Sequence, residues 1–473
     1  MVPQTLEYLS QLIALTPQPV YLVGGSVRDL LIGTEDIKDI DTLMQSGSES
    51  VAQAFADAIG GSFFFLDEER KISRVVRSSD GGIIQFDFTN FEGPDLAADL
   101  GRRDFTINAM ALDLREFLKD KSLANIIDLF HGKKDVTNKL IRVVKPEVLD
   151  EDPLRLLRAV RFASTLGFTI EETTKDHIKS RTALVTQPSP ERQRDELFLI
   201  LSERNAETHL NLMDSLGLLS RLLPELDTLT GFSPGRYHIY DVRTHSIKAA
   251  GYVDSVLDDL PGIAPEYVQL ILEHLDQPLE NLVPRKAALR FACLLHDIAK
   301  PETLSQDGEG RIHFYGHDNL GAEKAKEICR RLRLSRDTEA TVTAVIKQHM
   351  RLFNLSAPGG PSKNAMHRYC RDLKDALPES LVLAQADARA TLDIMPKEKF
   401  TDTEKPMAAV LEYYYEKFLK AEEKPLVTGN DLIERGLKPG PRFREILDEI
   451  KERQAAGLLK DRREALEFID GLK

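Results

Sequence analysis

Short β-branched and aromatic runs crowd into the first ninety residues, and from about Phe105 to the end the apolar residues take helical spacing. That change of period gives a small α/β head followed by a long all-α body, an α+β chain. Residues 4–16 read as an amphipathic helix stopped by Pro17-Gln18-Pro19. Val20–Val23, Asp39–Met44, Phe63–Leu66, Arg74–Arg77 and Ile83–Phe88 read as strands, with Asp80-Gly81-Gly82 as a turn. Gly24-Gly25 joins the first strand to a helix over Ser26–Leu31. In the helical body, Pro188–Pro190 and Pro224–Pro234 are breaks, and Lys420–Lys424 opens a tail. The length of 473 residues suggests roughly three domains, and along the chain we expect a head at 1–140, a neck at 141–232, a third unit at 233–400 and a helical tail at 401–473.

The chain is 42% hydrophobic, which excludes disorder as its main state. Its three cysteines, Cys293, Cys329 and Cys370, are too scattered for a disulfide framework or a cysteine-based zinc site, and they suit a reducing cytoplasm. No signal peptide and no membrane span are expected. A formal net charge of −13 argues at first against a nucleic-acid partner. Its distribution weakens that argument. Residues 1–100 carry 6 basic against 16 acidic side chains, whereas residues 101–200 carry 18 against 16. RNA affinity is therefore expected to be local and selective, built on basic patches and bound metal.

Asp39 and Asp41 stand two apart in a predicted strand, so both carboxylates face the same way. Two hard oxygen ligands on one face suit Mg²⁺ together with substrate phosphates. Upstream, the glycines of Gly24-Gly25 let the backbone approach phosphate at a helix start, and Arg28 adds a charged donor. Asp152, Arg155, Arg158 and Arg161 recur every third residue and read as one polar row on a helix. A carboxylate accepts from an exocyclic amino group and an arginine donates to ring acceptors, so Asp152 with Arg155 suits the edge of a C or an A.

In order along the first half of the chain stand Gly24-Gly25-Ser26-Val27-Arg28-Asp29 with Asp39-Ile40-Asp41, then Arg102-Arg103-Asp104-Phe105-Thr106-Ile107-Asn108. After them come Glu151-Asp152-Pro153-Leu154-Arg155-Leu156-Leu157-Arg158-Ala159-Val160-Arg161-Phe162 and Pro190-Glu191-Arg192-Gln193-Arg194-Asp195-Glu196. This series resembles the motifs of the class II tRNA nucleotidyltransferase and bacterial poly(A) polymerase family. The resemblance implies a polymerase-beta-like head in which Asp39 and Asp41 bind catalytic Mg²⁺, and Gly25 and Arg28 contact the nucleotide. It implies that Arg103 meets the triphosphate or ribose, that Asp152 and Arg155 serve as an amino-acid template for the base, and that Arg158 and Arg161 complete the nucleotide site. Glu191 and Arg194 would brace the helix, and Asp87 is a candidate third carboxylate. The implied partners are tRNA, CTP and ATP.

Family members that add the terminal A carry a long flexible segment between the sheet and the second motif. Here that stretch is only Thr89 to Gly101, and Pro94–Gly101 already reads as a helical lead-in. The shortness resembles the CC-adding subset, which works with a separate A-adding enzyme. Full CCA addition and poly(A) synthesis remain the alternatives.

Further along, His245, His296-Asp297, His317, His349 and Asp387 fall in an order that resembles the HD superfamily of metal-dependent phosphohydrolases. The resemblance implies a divalent transition metal or Mg²⁺ on His245, His296, Asp297 and Asp387, with His317 and His349 serving a second metal or a phosphate. An HD phosphohydrolase with a nucleotide-sensing head is the rival reading. The tail from Val427 resembles that of HD-containing nucleotidyltransferases. Lys438, Arg442 and Arg444 cluster there near a helix start and are candidate tRNA contacts.

Overall fold

The computed structural model describes residues 1–79, 82–232, 240–356, 360–391, 401–420, 425–455, 458–459 and 461–472. The expected turn at Asp80-Gly81, the break at Pro234 and the start of the tail at 421–424 lie outside the described residues. The chain divides into two units, Met1–Pro188 and Ser189–Lys473, at the first of the proline breaks.

The first unit is built on one sheet. Its elements are α1 (Pro3–Ala14), β1 (Val20–Val23), α2 (Gly25–Ile32), β2 (Asp39–Met44), α3 (Ser48–Ile59), β3 (Ser62–Asp67), β4 (Ile72–Ser79) and β5 (Gly82–Asn90). Then follow α4 (Leu96–Leu100), β6 (Met110–Asp113) and β7 (Ile127–Asp128). The strand order is β3-β4-β5-β2-β1-β6-β7, and only the central β2–β5 pair is parallel. Alternation along β2 and β5 sorts the side chains. Ile40, Phe86 and Phe88 are buried on one face, where Phe55 of α3 and Tyr8 of α1 meet Phe86 at 5.0 and 6.2 Å between ring centroids. Leu43 lies on the other face, in a core cluster with Val23, Ala111 and Leu100 of α4. Asp39 and Asp41 share that second face, opposite Gln85 and Asp87 of β5.

The helical pattern expected from Phe105 onward begins later than its residues suggest. Met110-Ala-Leu is composed of helix formers, yet it forms β6 and pairs with β1. Its three apolar side chains are fully buried, and that burial overrides local propensity. A helix over Arg155–Leu166 lies further along in the same unit.

Among the described residues, the second unit is helical apart from two short hairpins. Its centre is the helix Leu377–Thr391, buried on every side from Leu377 to Ala390. The helices Val242–Ile263, Arg285–Leu295 and Arg336–Gln348 pack against it. Arg290 is fully buried there, donating to the Leu201 carbonyl at 2.6 Å and to Asp254. Cys293, Cys329 and Cys370 are all buried free thiols. The tail helices Gly429–Glu434, Pro441–Ala455 and Arg462–Asp470 close over a small core of their own that includes Leu432, Ile450 and Ile469. Thr428 caps the first of them through a capping box with Asp431. Among the described residues, no helix is long and apolar enough to cross a membrane.

Candidate functional sites

The turn from β1 to α2 sets the first site. Gly24 has φ +62°, a left-handed conformation that glycine adopts without strain. A Cβ built on it would stand 2.9 Å from Asp41 Oδ2 and 3.2 Å from Arg103 Nη1. Ser26 then ties the turn to β2: its Oγ accepts the Asp41 N–H at 2.7 Å and donates to the Asp39 carbonyl at 3.3 Å. The Gly25 N–H, at the start of α2, donates to the Asp41 carboxylate. Burial pushes the Asp41 carboxyl up to about 6; Asp87 and Asp39 add to the shift and Arg103 opposes it. This excess of negative charge beside a helix N-terminus is what a divalent cation offsets, so Asp39 and Asp41 fit a divalent metal. Asp87, the candidate third carboxylate, stands in register with Asp41 on the same face. Arg74 of β4 grips it with two hydrogen bonds, at 2.6 and 2.8 Å.

Beside Asp41 opens a cavity of about 440 Å³. Gly25, Arg28, Arg103, Asp152, Arg155 and Arg158, all singled out from sequence, line it together with Asp41. Each arginine is held by a partner. Asp99 of α4 holds Arg103 at 3.1 Å. Arg28 is buried and donates to Asp29 and to Asn108 Oδ1, both at 2.8 Å. Asn108 in turn donates to Asp104 at 3.1 Å, and Arg158 donates to the same carboxylate at 2.7 and 2.9 Å. Burial works to raise the Asp104 carboxyl, but Arg158 and Asn108 outweigh it and hold it below the usual range. Arg155 donates to the Val148 carbonyl at 3.0 Å.

The arginine row departs from its expected form. Asp152 precedes the helix in extended backbone, and the helix itself starts at Arg155. Steps of three on a 3.6-residue turn rotate backwards by about 60° each, so Arg161 drifts off the face that Arg155 and Arg158 share. It does not line the cavity. Phe162, seven residues after Arg155, does. The guanidinium groups of Arg161, Arg158 and Arg28 lie 4.1, 5.2 and 5.4 Å from its ring centroid. Phe162, Asn108 and Ser26 carry no charge and were not singled out as site residues. All three sit inside the motifs themselves, and Phe162 has the further signal of its i+7 spacing from Arg155.

The second site lies wholly in the second unit. His245 near the start of Val242–Ile263, His296-Asp297 at the end of Arg285–Leu295, and Asp387 on Leu377–Thr391 converge. His245 Nε2 lies 3.0 Å from Asp387 and 3.7 Å from Asp297, and His296 Nε2 lies 3.2 Å from Asp297 and 3.7 Å from Asp387. His317 and His349 join from the other side of Asp297, with Nε2 atoms 3.6 and 3.9 Å from its Oδ1. All six side chains are buried.

The histidines are oriented in one way. His296, His317 and His349 each place Nδ1 2.7 Å from the backbone carbonyl three residues earlier, at Cys293, Phe314 and Ile346. A carbonyl only accepts, so each Nδ1 carries a proton and each Nε2 faces the cluster. His317 and His349 then face each other with Nε2 atoms 3.1 Å apart. Burial and the neighbouring His296 push His349 down to about 4, which leaves it neutral. Burial works to lower His296, but Asp297 and Asp387 overcome it and raise it to about 10. Nε2 atoms turned toward each other with carboxylate oxygens beside them fit divalent metal, as the ligand set itself does. Lys300 donates to Asp297 Oδ2 at 2.6 Å.

In the tail, Lys438, Arg442 and Arg444 are exposed at and just before the start of Pro441–Ala455. Arg442 donates to the Leu472 carbonyl at 3.2 Å, and Arg444 lies 4.0 Å from Asp448. Arg194, expected to brace its helix, bonds Asp195 at 2.7 Å, Glu280 at 3.3 Å and the Arg333 carbonyl at 2.9 Å, while Glu191 is exposed.

Comparison with known proteins gives the same division of labour. Residues 20–142 match a poly A polymerase head domain, 167–229 a probable RNA and SrmB-binding site of polymerase A, and 242–392 an HD domain. The chain is 33% identical to an A-adding tRNA nucleotidyltransferase of Deinococcus radiodurans over 96% of its length and 95% of that protein's. It is 31% identical to a CC-adding tRNA nucleotidyltransferase of Thermus thermophilus, over 96% and 94% of the two chains. The fold matches a CCA-adding enzyme in complex with CTP at a TM-score of 0.64 and 23% identity, covering 100% of this chain and 96% of that one. The sheet-bearing head with its Gly-Gly turn and carboxylate pair, the helical body, the HD cluster and the full-length likeness agree, and the chain belongs to the class II tRNA nucleotidyltransferase and poly(A) polymerase family.

Proposed function

We propose that this chain adds cytidylate to tRNA 3′ ends from CTP, stopping after two residues as a CC-adding enzyme. The observation that supports the stop is the short connection after β5. That strand ends at Asn90 and α4 begins at Leu96, with the Glu92 N–H held by Asp99 at 3.0 Å and the Asp95 side chain capping α4. Little chain is left there to reshape the pocket for ATP. In this reading the tRNA 3′-hydroxyl attacks the α-phosphate of CTP, a new phosphodiester forms and pyrophosphate leaves. Mg²⁺ on Asp39 and Asp41 supplies a lowered hydroxyl pKa and charge neutralisation when bound. Arg28, Arg103 and Arg158 hold the triphosphate. Asp152 accepts from the cytosine amino group and Arg155 donates to its ring acceptors. Arg161 acts on the site through Phe162. Lys438, Arg442 and Arg444 meet tRNA phosphates, with the head at 1–140, the neck at 141–232, the HD domain at 233–400 and the tail at 401–473. A tRNA substrate puts the reaction in the cytoplasm, alongside a separate A-adding enzyme.

The test is a matrix of tRNA ends with no C, one C or two C, each against CTP or ATP alone. We expect extension of the first two by CTP and no extension by ATP. Efficient addition of A to the CC end would replace this reading with full CCA or A addition, and a long A tail with poly(A) synthesis.

The buried histidine–aspartate cluster supports a second activity, hydrolysis of phosphomonoesters or 2′,3′-cyclic phosphates by the metal-loaded HD domain. Inertness toward such esters with added Ni²⁺, Co²⁺ or Mn²⁺ would remove it.

A further inference from the structure

The hairpin that leads into His317 carries a feature that metal binding does not use. Ser305–Gln306 pairs with Ile312–His313, and Asp307 locks the turn between them. Its carboxylate accepts the backbone N–H groups of Glu309 and Arg311 at 3.0 and 2.9 Å, and it is also bonded to Arg311 Nε at 2.9 Å and His313 Nε2 at 3.0 Å. The His313 ring is thus fixed from its edge. Tyr315 stacks on it, with centroids 4.9 Å apart and planes 11° from parallel. Tyr315 is 76% exposed, the most open of the large apolar and aromatic side chains among the described residues. One ring face rests on a rigid imidazole and the other is open to solvent.

The chain around this stack turns the other way. The Phe314 carbonyl accepts from His317 Nδ1, and the Phe314 ring lies under the Lys300 ammonium at 5.6 Å. Gly316, at φ +78°, makes the turn that starts the helix His317–Arg331. Tyr315 stands two residues before His317, one of the histidines of the cluster. Two residues of chain keep the Cα atoms of Tyr315 and His317 within about 7 Å of each other.

We propose that Tyr315, backed by His313, is a base-stacking platform that restricts the HD site to phosphate esters carrying a nucleobase. This rests on the hydrolytic reading of the HD cluster. A free face of an aromatic ring takes any base, so the site selects for a nucleobase without selecting which one. The same chemistry is offered by a free mononucleotide and by the end of an RNA strand.

The chain has no tryptophan, so Tyr315→Trp installs a lone indole at the platform. Full-length protein carrying it is titrated with cytidine 3′-monophosphate, with glycerol phosphate, and with a short oligoribonucleotide ending in a 3′-phosphate. Quenching of the indole by the two base-bearing probes and not by glycerol phosphate is expected; the tighter of the two identifies the natural source. In Mn²⁺-loaded protein, Tyr315→Ala is expected to raise KM for cytidine 2′,3′-cyclic phosphate about tenfold. Its kcat, and turnover of glycerol phosphate, are expected to stay unchanged. Equal quenching by glycerol phosphate, no quenching at all, or an unaltered KM would overturn the platform. Quenching without hydrolysis of any ester would overturn the hydrolytic reading alone.

Discussion

At Asp41, burial and two nearby carboxylates all favour the proton. The sign of the consequence follows. A carboxyl raised from 3.8 to about 6 is ionised in the metal-free fold only at a cost, and that cost is relieved as pH falls through 6 toward 4. A metal ligand needs the ionised form. Transfer activity should therefore fall as pH drops below about 6, and higher Mg²⁺ should move that limb to lower pH; an acid limb indifferent to Mg²⁺ would contradict the assignment. Asp39→Ala with Asp41→Ala should cost at least about 10³-fold in transfer with the thermal transition retained, read by nucleotide incorporation. Gly24→Ala tests the turn. Its Cβ would meet Asp41 at 2.9 Å on a left-handed backbone, so a loss of about 1–2 kcal/mol in stability and a far larger loss of transfer are expected.

Among the elements, the helix Arg155–Leu166 shows how a site is braced. Arg158 faces the nucleotide cavity and also neutralises buried Asp104. Arg158→Met should raise the KM for CTP and destabilise the first unit by about 3 kcal/mol, because it strands a buried carboxylate; urea unfolding measures the second effect. A change confined to KM would show that Asp104 finds another partner. This helix also marks the edge of what sequence can reveal. The spacing of Arg155 and Arg158 was readable, but the start of the helix was not, so Asp152 seemed to share a face it only approaches. Strands β1 to β5 were readable from β-branched and aromatic runs. Strand β6 was not, since only pairing with β1 makes Met110-Ala-Leu extended. The clamp of Arg74 on Asp87 was equally hidden, because it depends on cross-strand register between β4 and β5.

For the whole molecule, the sequence disclosed a sheet-bearing head, a helical body and the residues that the fold gathers at both sites, since each of them stands in a recognisable motif. The outward-turned Tyr315 lies in no such motif and needed coordinates. The two units also predict separable responses to ligand. A divalent metal that binds the HD cluster at 100 times its Kd should add about 2.7 kcal/mol to the second unit, read as a raised thermal transition. His296→Ala should abolish that gain and leave CTP-induced stabilisation of the first unit in place.

The thiols have a practical consequence. All three lie beyond residue 189, none lies in the first unit, and burial raises each of them, Cys329 and Cys370 to about 12. Thiolate is the reactive form, so a native chain at neutral pH resists alkylation. Labelling by a maleimide then becomes a clock for opening of the second unit alone, blind to whatever the head is doing.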